Sequence, residues 1–441
     1  MNQPTLDLSP LRQHFPSLQQ TLNGEPVIYL DTPGGSQVPQ QVVEAMTDYL
    51  RQANANVGGA FLTSQRTAAI LTEVHQAMAD FLNAPSADEI VFGPNMTTLT
   101  FAISRSIGQT LQPGDEIVVT RLDHDANIAP WVALEERGVT VRQVDFHPED
   151  CTLDMDDLAA KFTDRTRLVA VGYASNAVGT INDVKGITQM AHDVGALIYV
   201  DAVHYAPHGP IDVQDLGCDF LVCSAYKFFG PHIGALYGRY ELLDRLPAYK
   251  VRPAPDKPPD KFETGTQNHE GMAGVLATVD YLAALGESYG APFADRFPGF
   301  SGQRFHLKKA LAAIHAYEAE LMLRLIEGLE AIPGLKIWGI TDPQALDRRV
   351  PTLSFTMEGF TPREIADYLG ERGIFTWDGN FYALAVTERL GLEEHGGLLR
   401  VGLAHYNTSA EIERLLDALD VLATSPPTPS SSSRRPTWRR C

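Results

Sequence analysis

The sequence predicts an α/β chain of two units, a large one organised on adjacent parallel strands and a smaller α/β one towards the C-terminal end. Three observations carry that expectation. Apolar runs of strand length, at 196–200 and 221–223, stop abruptly in polar residues, Asp201 and Ser224. Segments of helical spacing separate such runs through most of the chain. Past a connection at 292–302, which holds Pro292, Pro298 and Gly302, the alternation begins again in shorter form.

The two run-ends define a candidate site. Lys227 follows Ser224-Ala225-Tyr226 and precedes Phe228-Phe229-Gly230-Pro231, with no Asp or Glu at helical spacing. An amine there is desolvated, its pKa falls, and the free base suits Schiff-base chemistry with a cofactor aldehyde. Asp201 closes the upstream run. If the segment between them is one crossover, both side chains emerge at the same C-terminal edge of neighbouring parallel strands, where open α/β sheets bind ligands. Pyridoxal phosphate needs such a pair: a lysine for its aldehyde, and a carboxylate that keeps its pyridine nitrogen protonated so that the ring accepts electrons. Read singly, Lys227 is a strand-end lysine reaching into solvent and Asp201 a cap or turn residue. The pair is what points to the cofactor.

A formal net charge of −20 argues against nucleic acid or an anionic membrane surface as partner, since both attract basic faces. The cofactor phosphate must then be held locally, by backbone N–H groups, hydroxyls and a helix N-terminus. Met1-Asn2-Gln3-Pro4-Thr5 holds neither a basic nor an apolar leader, and no run reaches the length of a membrane span, so a cytoplasmic protein is expected. The four cysteines, Cys151, Cys218, Cys223 and Cys441, have neither metal-ligand spacing nor the density of a disulfide framework.

Residues 7–24 read as an amphipathic lead-in, and 27–31 as a brief strand closed by Thr32-Pro33-Gly34-Gly35, whose glycines permit close backbone approach. Helices are expected at about 40–53 and 67–84, the second with Ile70, Val74, Met78 and Phe81 on one stripe. A strand at 89–92 runs through Gly93-Pro94-Asn95-Met96-Thr97-Thr98 into a helix. That start offers N–H groups and a hydroxyl to a phosphate, although threonine is also a common N-cap. Asp123-His124-Asp125-Ala126-Asn127 follows the strand at 116–120; His124 can stack on a heteroaromatic ring or bond to Asp123 or Asp125 in its own loop. A strand at 167–175 leads to Asn176, whose amide can reach a ring hydroxyl. A helix at 184–195 leads to Asp201, and a strand at 234–238 follows Lys227. The smaller unit is expected to hold a helix at 305–332, strands near 336–339 and 351–357, a helix at 362–372, strands near 374–377 and 398–403, and a closing helix at 410–422. The chain thus divides into a lead-in (1–26), a large unit (27–290), a small unit (291–424) packed with the N-terminal segment, and a tail (425–441) too poor in apolar residues to fold.

Asp201-Ala202-Val203-His204, then Cys218-Asp219-Phe220 and Ser224-Ala225-Tyr226-Lys227-Phe228-Phe229-Gly230-Pro231, resemble the class V aminotransferase superfamily of pyridoxal-phosphate enzymes. The similar branch is that of the group II cysteine desulfurases, over about 27–423. The resemblance implies a fold-type I pyridoxal-phosphate transferase with a mostly parallel seven-stranded sheet, a homodimer, and an amino-acid substrate. It implies that Lys227 is the Schiff-base lysine, Asp201 the pyridine-nitrogen partner and His124 the ring-stacking residue. By the same likeness Asn176 and His204 face the ring hydroxyl. Ser224, Thr97 and the backbone near Met96 hold the phosphate, with Tyr226 where members often carry histidine. Thr266, in Glu263-Thr264-Gly265-Thr266, resembles a segment that reaches the cofactor phosphate of a second subunit. Arg400, in Leu398-Leu399-Arg400-Val401-Gly402, matches the arginine that pairs with the substrate carboxylate.

The likeness stops at sulfur. Group II desulfurases carry a nucleophilic cysteine on a loop after a short strand and an Arg-Thr-Gly or similar turn. Here the stretch reads Ile374-Phe375-Thr376-Trp377-Asp378-Gly379-Asn380-Phe381-Tyr382-Ala383-Leu384. Gly379 aligns with the turn glycine, Tyr382 falls at the cysteine's position and Trp377 replaces the arginine. Gly58 and Gly59 stand where the group has a basic, histidine-bearing turn. The expectation is an enzyme acting on an amino acid or related amine by C–S cleavage or elimination, transamination or racemisation, without a persulfide. A desulfurase using a displaced cysteine and a non-catalytic cofactor-binding protein are the alternatives.

Overall fold

The computed structural model describes residues 6–424. The first five residues and the tail at 425–441, expected to be unfolded, lie outside the described residues. The centre is a seven-stranded sheet made of β1 (Ile90–Gly93), β2 (Glu116–Thr120), β3 (Thr140–Val144), β4 (Thr166–Gly172), β5 (Leu197–Asp201), β6 (Phe220–Ser224) and β7 (Gly234–Gly238), in the order β3-β2-β4-β5-β6-β7-β1. All neighbours from β3 to β6 pair parallel, and β7 alone runs against the rest. Helices cover both faces, so central strands such as Phe-Leu-Val-Cys-Ser in β6 are buried throughout and read as continuous apolar runs. Parallel pairing aligns the carboxyl ends of β2, β4, β5 and β6 on one edge, where the site lies.

Helix α1 (Gln40–Gln52), α2 (Leu62–Leu82) and α3 (Met96–Gly108) precede β2. Asn95 caps α3, its side chain accepting from the Thr98 N–H at 2.9 Å. Helix α4 (Val184–Asp193) is capped by Asp183, and α5 (His269–Tyr289) and the long α6 (Gly302–Glu330) pack against each other. Beyond α6 a four-stranded antiparallel sheet has the order β8 (Leu335–Trp338), β9 (Thr352–Met357), β11 (Leu398–Gly402), β10 (Trp377–Gly379), with α7 (Pro362–Gly370) and α8 (Ser409–Thr424) completing the chain.

The lead-in forms two short 3-10 turns, Ser9–His14 and Pro16–Gln19, that bury Leu11, Phe15 and Leu18 and leave polar residues outside, followed by a hairpin of two-residue strands. Two expectations are corrected. Residues 374–377 are not one strand: Ile374–Phe375 pairs parallel with Ile28–Tyr29, while Trp377 opens β10 in the other sheet. Helix α2 begins at Leu62, five residues before the expected start at 67; Leu62 is exposed and the residues its first turns bury, Ser64 and Thr67, are polar, so no apolar stripe marks them. Strand β3 and helix α5 were not anticipated. β3 is an edge strand whose burial does not alternate, and α5 is rich in Ala, Gly and Leu, so no polar face marks its period.

Candidate active site

Asp201 ends β5, and Lys227 lies on the turn Ala225–Lys227 just past β6. With Asp201 in register with Val222, the parallel pair brings both side chains to one pocket. Burial pushes the Lys227 amine down to about 7, and the Arg400 charge pushes the same way against Asp201 and Asp31. Its Nζ donates to the carbonyl of Pro33, in the turn Thr32–Gly34, and lies 4.9 Å from the Tyr226 ring. Tyr226 itself stacks on His232 at 4.9 Å and an angle of 9°.

Asp201 is buried, and one oxygen accepts from the Val203 N–H at 2.9 Å. Burial first, and the neighbouring Asp123 next, raise its carboxyl to about 7. Asp123 is itself tied to Thr120, Asn127 and the Gly172 N–H at 2.7, 2.7 and 2.9 Å. His124 is bonded to neither of its flanking aspartates. Its Nδ1 accepts from the Ala126 N–H at 3.0 Å, which leaves the proton of the neutral ring on Nε2. Burial, Lys227 and Arg400 hold its pKa down at about 4. Its ring lies under Tyr382, centroids 5.5 Å apart and 20° from parallel.

On the opposite wall, the start of α3 meets β6. The Met96 N–H donates to Ser224 Oγ at 3.1 Å, and among the described residues the Thr97 hydroxyl has only the Met96 sulfur, at 3.9 Å. Gly234 on β7 makes this approach possible: a Cβ there would stand 2.5 Å from the Asn95 carbonyl carbon. Asn176 lines the pocket with Oδ1 buried and unpartnered, while its Nδ2 donates to the Phe381 carbonyl at 2.8 Å. His204 also lines it and is bonded through Nε2 to Thr352 Oγ1 at 2.8 Å.

Two expected residues stand elsewhere. Arg400 is buried one layer behind the wall, its Nη1 donating to the Asn176 carbonyl at 2.9 Å and its face under the Phe381 ring, 4.1 Å away. Thr266 is exposed and does not line this chain's pocket. Sequence reasoning passed over Phe381 and Asp31. Asp31, whose carboxyl burial raises to about 6 against the pull of Arg400 and Lys227, ends the first short strand much as Asp201 ends β5. That shared pattern was the available signal; Phe381 had none, because its role comes from a loop conformation.

These residues fit pyridoxal phosphate. A buried carboxylate raised to about 7 in spite of the Lys227 charge is short of positive charge, and a protonated pyridine nitrogen supplies it. The orphaned Asn176 oxygen lacks a hydroxyl. The helix start with Ser224 and Thr97 offers hydroxyls and the N-terminus of a long helix to a phosphate, and Lys227 is a largely desolvated amine.

The protein-family model described as Aminotransferase class-V matches residues 28–289 and 303–415. A cysteine desulfurase of Pectobacterium atrosepticum is 33% identical over 426 residues, covering 93% of this chain and 96% of that protein. The "Aminotransferase-like protein FGM3" of Gibberella zeae is 33% identical over 435 residues, covering 96% of this chain and all of that one. Among solved structures, the apo cysteine desulfurase from Thermococcus onnurineus superposes with a TM-score of 0.82 at 28% identity, covering 96% of this chain and 99% of that chain. The cysteine desulfurase CsdA of Escherichia coli gives 0.78 at 27% identity, over 95% and 98% of the two chains. The fold-type I architecture expected from the resemblance is therefore borne out, and the chain belongs to the class V aminotransferase family of pyridoxal-phosphate enzymes, in its cysteine desulfurase-like branch.

Proposed function

We propose that this protein is a pyridoxal-phosphate lyase or transferase acting on an amino acid or related amine, with Lys227 as the amine that carries the cofactor. In this reading it passes no sulfur through an enzyme persulfide. The observation that carries the reading is the convergence of Lys227, Asp201, His124 and the α3 cradle on one pocket. Bound there, the cofactor supplies an aldehyde for amine exchange and a ring that accepts an electron pair. Asp201 holds the proton on the ring nitrogen. His124, kept neutral, lies against the ring without adding charge. Ser224, Thr97 and the Met96 N–H hold the phosphate, Tyr226 closes the pocket beside Lys227, and Asn176 and His204 face the ring hydroxyl. Lys227 Nζ, whose pKa is lowered to about 7 so that a large share of it is free base near neutral pH, takes the proton from the substrate Cα and returns it, while Arg400 orients the substrate carboxylate. The proposal extends to a cytoplasmic homodimer in which Thr266 serves the phosphate of the second subunit.

The absence of persulfide chemistry is supported by the thiols. A sulfur-accepting cysteine must be an accessible, low-pKa thiolate. Among the described residues the cysteines are Cys151, Cys218 and Cys223; all are buried, and burial pushes all three thiols up, Cys151 to about 12, while Cys441 lies outside the described residues. Tyr382, at the position of the desulfurase cysteine, offers an exposed phenol. The names of the relatives favour the second reading, a desulfurase with a displaced cysteine. Two measurements separate the readings. Borohydride reduction followed by peptide mapping is expected to fix a pyridoxyl group on Lys227 and to find none in Lys227→Ala; a label on another lysine refutes the assignment. Supplying cysteine and alkylating the protein is expected to trap no persulfide. A persulfide with alanine formed in matching amount decides for the desulfurase.

A further inference from the structure

Strand β9 alternates hydroxyl and apolar residues, Thr352-Leu353-Ser354-Phe355-Thr356-Met357, which puts the two kinds on opposite faces. Leu353, Phe355 and Met357 go to the core. A hydroxyl face ordinarily meets water, yet Thr352 and Ser354 are fully buried. Buried hydroxyls need partners, and both find theirs in the wall of the pocket. Thr352 Oγ1 is bonded to His204 Nε2 at 2.8 Å, and Ser354 Oγ donates to the carbonyl of Ala177, the residue after Asn176, at 2.5 Å.

The turn that carries Asn176 is gripped from the same side. Its four successive carbonyls, from Asn176 to Gly179, each accept from a donor that lies beyond α6 in the chain: Arg400 Nη1, Ser354 Oγ, Arg349 Nη2 at 3.4 Å and the Val350 N–H at 2.9 Å. Ser354 and Arg400 stand opposite each other on β9 and β11, so both reach across one gap. Arg349 Nη2 also donates to the Thr352 carbonyl, at 2.6 Å, and so joins the turn to the strand. Gly179, at φ +83°, lets the two close up, since a Cβ there would stand 2.3 Å from the Thr352 carbonyl oxygen.

We propose that Thr352 and Ser354 are positioning residues: the hydroxyl row of β9 holds His204 and the Asn176 turn where the ring hydroxyl of the cofactor comes to lie. The inference rests on the reading of this pocket given above. Neither hydroxyl residue lines the pocket, so each acts through the residue that it holds. An amide or imidazole displaced by about 1 Å loses most of a hydrogen bond's value, and nothing on the Asn176 side chain prevents that beyond its one bond to Phe381. The ring hydroxyl shares its proton with the nitrogen that Lys227 contributes, and the absorbance bands of the bound cofactor report where that proton sits.

The test is the absorbance of the cofactor-loaded protein, recorded across the pH range between ordinary carboxylate and lysine ionisation. Asn176 Oδ1, the unpartnered atom, accepts from the hydroxyl and favours its protonated form. Ser354→Ala is therefore expected to lower the midpoint between the bands by roughly 0.4 to 1 pH unit, the worth of one hydrogen bond. In an Asn176→Ala background the same change should move it by less than about 0.3 unit. Thr352→Val should also shift the midpoint, an effect lost in a His204→Leu background, while Thr352→Ser, which keeps the hydroxyl, should retain the wild-type spectra. Thr356→Val is the structural control: it removes a bond of the same strand, from Trp338 Nε1 at 3.2 Å, and should leave the midpoint within about 0.3 unit whatever it costs in stability. Should Ser354→Ala fail to fold, the two Thr352 variants decide. Spectra of Ser354→Ala or Thr352→Val that superpose on wild type at every pH, a Ser354→Ala midpoint that rises, shifts that survive the loss of Asn176 or His204, or an equal shift in Thr356→Val overturns the positioning. Borohydride labelling keeps the two ideas apart: unmoved spectra with Lys227 labelled sink the positioning alone, and a wild type without a label on Lys227 sinks the function itself.

Discussion

Replacing Asp201 by Asn should stabilise the cofactor-free protein, and do so only at higher pH. The carboxyl is raised from 3.8 to about 7, chiefly by burial. A raised carboxyl favours the folded state while it is protonated; that advantage is whole below about pH 4 and is lost as the pH climbs through about 7. At 1.36 kcal/mol per pH unit, keeping Asp201 ionised in the folded chain costs about 4 kcal/mol, as an upper figure. Asn is neutral, has the same shape and can still accept from the Val203 N–H, so it escapes that cost. Guanidinium unfolding of both cofactor-free proteins at a series of pH values gives the difference directly, since the other titrating groups cancel to first order. The advantage of Asp201→Asn should be near zero at about pH 4 and grow to as much as about 4 kcal/mol by about pH 8. Adding pyridoxal phosphate should reverse the order, because the ring nitrogen gives the carboxylate its cation. A difference that is flat with pH, or a variant less stable than wild type at about pH 8, would show that Asp201 is not held at this cost and would remove the argument for its role.

The rate at which cofactor-free protein takes up pyridoxal phosphate should rise with pH through a midpoint near 7, the pKa of Lys227, well below the ordinary lysine value of about 10.4. Arg400→Gln should move that midpoint upward, since removal of a neighbouring positive charge favours the protonated amine; a midpoint that stays put or falls speaks against their electrostatic contact. Light scattering should find a dimer, because Phe61 and Leu62 at the start of α2 are 57% and 60% exposed and such a surface calls for cover. A monomer that still binds cofactor tightly would leave Thr266 without a role.

The sequence told most where burial on both sides left an uninterrupted apolar run that ended in a functional group. Strands β5 and β6 were legible in this way, and the pairing of Asp201 with Lys227 followed from one crossover. His124, Thr97 and Ser224 were legible as polar residues at the ends of such runs. What escaped was what depends on distant partners. Thr376 gives no hint that the chain leaves one strand pairing for another between Ile374–Phe375 and Trp377–Gly379. Arg400 could be matched as a carboxylate binder, but its cover could not be read, since Phe381 reaches it only through backbone angles that propensity disfavours. His204 was expected at the ring hydroxyl, and its bond to Thr352, 148 residues away, was invisible for the same reason.

The short strand Ile28–Tyr29 sets a clock on biosynthesis. The main chain of the strand and of Leu30 after it is completed by partners from much later in the chain: the Ile28 N–H donates to the Gly373 carbonyl, the Leu30 N–H to the Phe375 carbonyl, the Gly402 N–H to the Leu30 carbonyl, and Asn407 Nδ2 to the Tyr29 carbonyl across 378 residues of sequence. At roughly 5–20 residues per second, a ribosome needs on the order of 20–75 s to deliver those partners after Tyr29 has emerged. Until then the turn that presents the Pro33 carbonyl to Lys227 is held from one side alone, through Ser36, whose N–H donates to the Tyr226 carbonyl and whose Oγ accepts from the Phe229 N–H. The strand that leads into this turn therefore finds its partners only after every residue lining the pocket, all of them between 95 and 227, has been made.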